Sequence, residues 1–253
     1  MKPVKKGPAD WTAEDIASFW DWQSINASRH GQYFTASMAP GIVRFLKKNN
    51  LLKGAVLDYG CGTGYLLEQM AKEKDVDLYG LDFSADSIAA SKNRTGHNSN
   101  LKQLVLANKL PSVFRNAQFD TITVVETIEH LQDDQLKDTF VELGRILKPG
   151  GAIFITTPFN EDLDRHLIFC PFCKSEFHHM QHMQSFSIDR LTALGKEHGF
   201  IVKYCSNINI EKFKIGAIRF YIKSQFKKIG YSFGLMEKRN ITAPNLIAIF
   251  LKP

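Results

Sequence analysis

Three short stretches combine residue types that can hold ligands or move protons. The first is Val56-Leu57-Asp58-Tyr59-Gly60-Cys61-Gly62-Thr63-Gly64. An apolar run enters a turn with glycines at alternate positions, where a ligand can approach main-chain atoms without a Cβ in the way. Twenty-two residues beyond Gly60, a second apolar run ends at Asp82, a carboxylate spaced to accept hydrogen bonds from ribose hydroxyls at the same crevice. The second stretch is Glu126-Thr127-Ile128-Glu129-His130. Its three polar groups at i, i+3 and i+4 share a face if the segment is helical. Two carboxylates and an imidazole can bind a divalent cation such as Mg2+ or act as a base. The third is Cys170-x2-Cys173-x4-His178-x3-His182. Two thiolates and two imidazoles match a closed tetrahedral Zn2+ site, which would staple a segment too short for its own core. A competing assignment sends His178 or His182 to the Glu126, Glu129 and His130 group, and one histidine cannot serve two separate metals. The zinc set accounts for the otherwise unexplained Cys-x2-Cys pair, with His179 as a bystander.

The glycine loop discriminates among nucleotides. A dinucleotide fingerprint needs glycine at its first, third and sixth positions, and the sixth position from Gly60 is Tyr65. A P-loop needs Gly-Lys-Ser/Thr, which is absent. Asp58 would repel a pyrophosphate but suits a ligand bearing an ammonium group. The loop therefore fits S-adenosylmethionine better than NAD or ATP.

The elements that must position these groups follow from hydrophobic patterning. Strand-sized apolar runs at 55–57, 78–82, 101–107, 119–126 and 153–157 alternate with helices near 64–73, 85–94 and 133–147. In the last of these, Leu136, Phe140, Leu143 and Leu147 share a face. Ser187 is an N-cap candidate for a helix ending at Gly199, and runs at 200–204 and 245–250 supply two final strands. Strands apolar on both faces, alternating with helices, predict a doubly wound α/β sheet. Residues 11–37 read as a helical, aromatic-rich cap, a region taken as 10–37. The Cys/His segment 158–185 and a basic segment 209–239 read as insertions on one domain covering 1–253.

With 253 residues, 44% of them hydrophobic, the chain is long enough for one large domain without staples. No apolar run reaches the length of a membrane span, and the basic N-terminus lacks a following apolar stretch. A cytoplasmic protein is expected. The net charge of +6 is concentrated: between Lys203 and Arg239 nine basic residues face two acidic ones. Its functional readings are an anionic membrane surface contacted peripherally, an RNA backbone or an acidic acceptor. The bland reading is an amphipathic helix over the substrate pocket with its lysines in solvent.

Asp58-x-Gly60-x-Gly62-x-Gly64, Asp82, Phe119-Asp120 and Leu147-Lys148-Pro149-Gly150-Gly151 together resemble the class I S-adenosylmethionine-dependent methyltransferases. The resemblance implies a seven-stranded Rossmann-like sheet of order 3-2-1-4-5-7-6 with strand 7 antiparallel. It also implies that Gly60, Gly62 and Gly64 contact the methionine part, Asp82 the ribose, and Ala107 (through its backbone) the adenine, with Val125 beside the sulfonium. Many relatives carry Asp where this chain has Leu106, and Asn108 is the candidate substitute. Glu126-x-x-Glu129-His130 resembles ubiquinone-biosynthesis O-methyltransferases and small-RNA 2′-O-methyltransferases, in which the motif ligates a metal near the acceptor hydroxyl. His182 with Phe186 and Ser187 resembles the segment completing that site in the small-RNA enzymes. These features imply methyl transfer to a hydroxyl of a small-molecule or glycan-like acceptor. Trp20, Trp22, Tyr33 and Phe34 are candidates to line the acceptor pocket. The alternatives are an RNA methyltransferase and a non-catalytic zinc-bearing adaptor.

Overall fold

A computed structural model describes residues 11–107, 109–172, 174–215 and 244–253. The helices are α1 (Ala13–Ile25), α2 (Phe34–Lys48), α3 (Tyr65–Met70), α4 (Ala85–Thr95), α5 (Asp133–Ile146), α6 (Ile188–Glu197) and α7 (Glu211–Ile215). The strands are β1 (Gly54–Tyr59), β2 (Val76–Asp82), β3 (Leu101–Leu106), β4 (Phe119–Val125), β5 (Leu147–Pro158), β6 (Leu167–Phe169), β7 (Glu176–His178), β8 (Ile201–Ile208) and β9 (Asn245–Leu251). Seven strands form one sheet in the order β3-β2-β1-β4-β5-β9-β8. β9 runs antiparallel to both its neighbours. This is the predicted order, with β8 and β9 as the sixth and seventh strands.

Strand periodicity explains why the sheet is covered on both sides. Ile153 and Ile155 of β5 join one buried cluster with Leu136 and Phe140 of α5 and Leu191 of α6. The intervening Phe154 joins a second cluster with Leu46 of α2 and Met70 of α3. Successive side chains on a strand point to opposite faces, so an unbroken apolar run feeds two cores. The Phe-Asp and Leu-Lys-Pro-Gly-Gly motifs have a structural role. Asp120 Oδ2 accepts from Ala55 N–H at 2.9 Å and from Lys148 Nζ at 2.7 Å, tying together the entries to β1, β4 and β5.

β1 lies between β2 and β4, and all three run parallel. Tyr59 pairs with Leu81 on one side and Val124 on the other. The loops after these strands therefore open at one sheet edge, where the strand order reverses and α/β sheets bind ligands.

The N-terminal region read as helical contains α1 and the start of α2. Thr12 caps α1, accepting from Asp15 N–H at 3.1 Å while its own N–H donates to the Asp15 carboxylate at 2.8 Å. A 3-10 turn over Ala27–Gln32 then redirects the chain into α2. Among the described residues no helix is long and apolar enough to cross a membrane. Most of the basic segment 209–239 lies outside the described residues. Its start, α7, packs on α2, where the Arg44 guanidinium donates to the carbonyls of Phe213 (2.7 Å) and Lys214.

Candidate active site

Glycine is required in the loop after β1 for two separate reasons. Gly60 has φ +77°, and a Cβ there would sit 2.6 Å from Thr127 Oγ1, so the turn closes onto the loop after β4. Gly62 has φ +50°, and a Cβ there would meet no atom within 4 Å. It faces a cavity of about 550 Å3, within the roughly 300–1,000 Å3 usual for small-molecule sites. Gly64 is used differently from expectation. It is not in the cavity wall; it precedes α3 at φ +84° and packs on Ser91 of α4. We expect Gly62→Ala to cost about 1–2 kcal/mol of stability through its positive φ and to weaken S-adenosylhomocysteine binding about 10-fold or more, because the Cβ enters ligand space. Isothermal titration with a matching melting curve checks both halves, and unchanged affinity would remove Gly62 from the ligand cradle.

Asp58 and Asp82 both line this cavity. Asp58 is 2% exposed and accepts from Thr123 Oγ1 at 2.7 Å. Burial lifts its pKa to about 7. Asp82 accepts from Ser84 N–H at 2.9 Å and from Gly62 N–H at 2.8 Å. Burial raises its pKa to about 6 despite those amides. A carboxylate has about four acceptor positions, so these two bonds leave capacity for a ribose diol. Ala107 and Val125 also line the cavity. Leu106 does not, and its side chain is half exposed. Asn108 lies outside the described residues.

Glu126, His130 and His182 line the same cavity. The segment is not one helix. Glu126 is left-handed at φ +47°, and only Ile128–His130 form a 3-10 turn. Thr156 Oγ1 donates to Glu126 Oε1 at 2.8 Å. Glu129 stands behind the wall, fully buried, accepting from Thr157 Oγ1 at 3.0 Å. Burial lifts Glu126 to about 7, and burial followed by the charge of Glu126 pushes Glu129 well above the usual carboxylate range. Burial, then the neighbouring His182, holds His130 well below the ordinary imidazole value. Glu129 Oε1 and His130 Nδ1 are buried without a hydrogen-bond partner.

Among the described residues, Cys170 does not meet the expected zinc ligands His178 and His182. β6 and β7 pair as a hairpin in which Leu167 faces His178 and Phe169 faces Glu176. Cys170 lies at the turn, its N–H donating to Ser175 O at 2.8 Å. His178 is thus three residues along β7 from that turn, roughly 10 Å at ~3.3 Å per residue. Zinc donors must lie within about 2.3 Å of one ion. Among the described residues Cys170 joins no ligand group, whereas His178 and His182 converge with Glu161. Cys173 lies outside the described residues. The residue types matched a tetrahedral zinc site, with a second half more compact than a finger's, but the strand register separates the Cys170 thiol from the imidazoles.

Glu161 is a site residue that no motif in the sequence marks. Its Oε2 lies 2.5 Å from His182 Nδ1, and its Oε1 lies 3.5 Å from His178 Nε2. Burial pushes Glu161 up, but the His182 hydrogen bond and the surrounding imidazoles outweigh it and leave the carboxyl below its usual pKa. Gln181 is a second unmarked residue. It accepts from Trp20 Nε1 at 2.7 Å and donates to His130 O at 3.1 Å, latching α1 over the site. The Trp20 ring stands edge-on to His130 at 4.7 Å. Tyr33 and Phe34 line the cavity as anticipated; Trp22 does not, and half of it is exposed.

Comparison with known proteins agrees with this geometry. Residues 28–203 match a family model described as a methyltransferase domain. The mitochondrial ubiquinone biosynthesis O-methyltransferase of Dictyostelium discoideum is 32% identical over 40% of this chain and 34% of its own length. The ubiquinone biosynthesis O-methyltransferase of Coxiella burnetii is 32% identical over 47% of this chain and 50% of its own length. These matches span half or less of the relatives' lengths. Among solved structures, the DhpI complex with SAH superimposes with a TM-score of 0.62 at 16% identity, over 95% of this chain and 97% of the other. The family match is to an enzyme class, against the reading of a non-catalytic adaptor. A glycine cradle open at Gly62, two buried carboxylates beside it and a match over most of the chain lead to one statement: the protein belongs to the class I S-adenosylmethionine-dependent methyltransferases.

Proposed function

We propose that the protein methylates a hydroxyl of a small-molecule acceptor, a class that includes glycan-like hydroxyls. One observation carries this reading: the glycine loop with Asp58 and Asp82, and the Glu126, His130 and His182 group, line a single cavity of about 550 Å3. That volume has to accommodate cofactor and acceptor together. α1 and the turn after it close over it through Trp20 and Tyr33, which favours a compact acceptor. The relatives named as O-methyltransferases support an oxygen acceptor.

S-adenosylmethionine supplies an electrophilic methyl on a sulfonium, displaced in line by a nucleophile held about 3–3.5 Å away. Asp58 is suited to the ammonium of the methionine part and Asp82 to the ribose hydroxyls. Val125, at the end of β4, lines the cavity and is suited to lie beside the sulfonium. A hydroxyl nucleophile must lose its proton, and Glu126 and His130 are the groups at the cavity wall able to receive it.

Glu129, His130 and His182 also fit a divalent cation. Their donor atoms lie within 4.8 Å of one another, and Glu129 Oε1 and His130 Nδ1 are buried without partners. Two imidazoles in the set favour Mn2+, Co2+ or Zn2+ over Mg2+, which prefers oxygen and water ligands. A cation held there would lower the pKa of an acceptor hydroxyl.

Methyl-labelled S-adenosylmethionine offered with phenolic and glycosyl acceptors, and separately with RNA, tests the reading. We expect label in a small hydroxylic product, with turnover insensitive to salt. Label in RNA, falling steeply with salt as phosphate contacts require, would overturn it.

A further inference from the structure

We infer that Glu161, steadied by His178, is a positioning carboxylate that fixes the His182 ring so that its Nε2 lone pair is free for the Glu129–His130 group. This rests on the cation reading of that group given above. Two ligand sets overlap on the page: Glu129 with His130 and His182, and Glu161 with His178 and His182. They share one imidazole, and hydrogen-bond direction assigns them different roles.

His178 is 2% exposed. Its Nδ1 accepts from the N–H groups of Met180 and His182, both at 3.3 Å. A neutral imidazole carries one proton, so that proton is on Nε2. Nε2 therefore has no lone pair for a metal; it lies 3.5 Å from Glu161 Oε1 without making a hydrogen bond. The Glu161 trio is a buttress and not a second metal centre.

The same logic gives His182 the opposite tautomer. His182 Nδ1 lies 2.5 Å from Glu161 Oε2, and a carboxylate accepts, so the ring proton is on Nδ1. The lone pair that a metal would take is then the one on Nε2. Carboxylate–imidazole–metal arrangements of this kind set ligand orientation and basicity. Glu161 is itself held in place. Its carbonyl accepts from Ser185 Oγ at 2.7 Å, and the preceding Asn160 N–H donates to Phe186 O at 2.9 Å. The His182 ring lies 4.8 Å from His130 and stacks on His178 at 4.5 Å, between the cavity side and the buttress.

The test is Co2+ binding to the full chain, followed by calorimetry and by the visible absorption of the bound ion. Glu161→Gln keeps size and polarity but removes the charge and the obligate acceptor. Its Co2+ affinity should fall about 10- to 100-fold, with S-adenosylhomocysteine affinity unchanged. Glu161→Asp, a milder change should Gln unfold the segment, should lose affinity to an intermediate degree. Cys170→Ser should bind Co2+ like the wild type. Wild-type uptake matched by both Glu161 variants overturns the inference while leaving the cation reading intact. No uptake by a wild-type protein that still binds S-adenosylhomocysteine overturns the cation reading and the inference with it. Loss of Co2+ in Cys170→Ser also overturns it, by placing the ion at the hairpin turn.

Discussion

Asp58→Asn is expected to stabilise the fold at pH 8 and to abolish useful cofactor affinity. Asp58 is 2% exposed, with Thr123 as its hydrogen-bond donor and a second carboxylate, Asp82, beside it. Its pKa rises from the model-compound value of 3.8 to about 7 on folding. The folded chain therefore binds more protons than the unfolded chain between those values. The favourable contribution of the group is complete below about pH 4 and is lost as pH rises through about 7. At pH 8 the carboxylate costs on the order of 4 kcal/mol, at ~1.4 kcal/mol per pKa unit. Asparagine keeps the acceptor for Thr123 and carries no charge, so the melting temperature should rise by roughly 10 °C. Binding should move the other way, by about 100-fold or more, because the ligand ammonium loses its buried counter-charge. S-adenosylhomocysteine affinity of the wild type should also weaken about tenfold per pH unit below 7, since Asp58 must shed a proton to bind. Titration calorimetry at pH 6 and 8, with melting curves, measures all three effects. A wild-type affinity flat across that range would remove Asp58 from ammonium recognition.

His130→Ala should lower kcat by roughly 10²- to 10⁴-fold, the range for losing a positioned acid–base group, while cofactor affinity changes less than about twofold. The separation follows from the proposed roles: Asp58, Gly62 and Asp82 serve the cofactor, Glu126, His130 and His182 the acceptor, and all six line the cavity. The imidazole packs against the rings of Trp20 and His182. Single-turnover kinetics with saturating S-adenosylmethionine, beside calorimetry with S-adenosylhomocysteine, distinguishes the two roles. A loss below tenfold would mean that the acceptor needs no help in shedding a proton, and hydroxyl chemistry would be the wrong assignment.

Much of the cofactor half was legible in the sequence because its signals are contiguous. An apolar strand, alternating glycines, a helix start and an acidic residue at the end of the next strand all lie within 56–82. Gly64 was the exception. Its place in the motif suggested ligand contact, but only packing against Ser91 shows that it serves the α3–α4 junction. The 126–130 segment was read correctly as polar groups beside β4, yet helical spacing did not account for their convergence. A left-handed Glu126 and a single 3-10 turn bring Glu126 and His130 to the wall and leave Glu129 behind it.

The sequence by itself determined the sheet order, the family and the chemistry suited to the glycine crevice. The alternation of strands and helices depends on period-2 and 3.6-residue patterns read over a few neighbouring positions, whereas the sheet order and the family rest on the resemblance carried by Asp58–Gly64, Asp82 and Leu147–Gly151. Tertiary structure alone decided where His178 and His182 lie. Their spacing with Cys170 is a one-dimensional pattern, whereas a hairpin moves along by ~3.3 Å per residue and carried the histidines away from the turn. Glu161, seventeen and twenty-one positions earlier in the chain, took the place of the thiol because the fold packs the two segments together. An imidazole has two nitrogens, and the partner folded against one fixes what the other can offer.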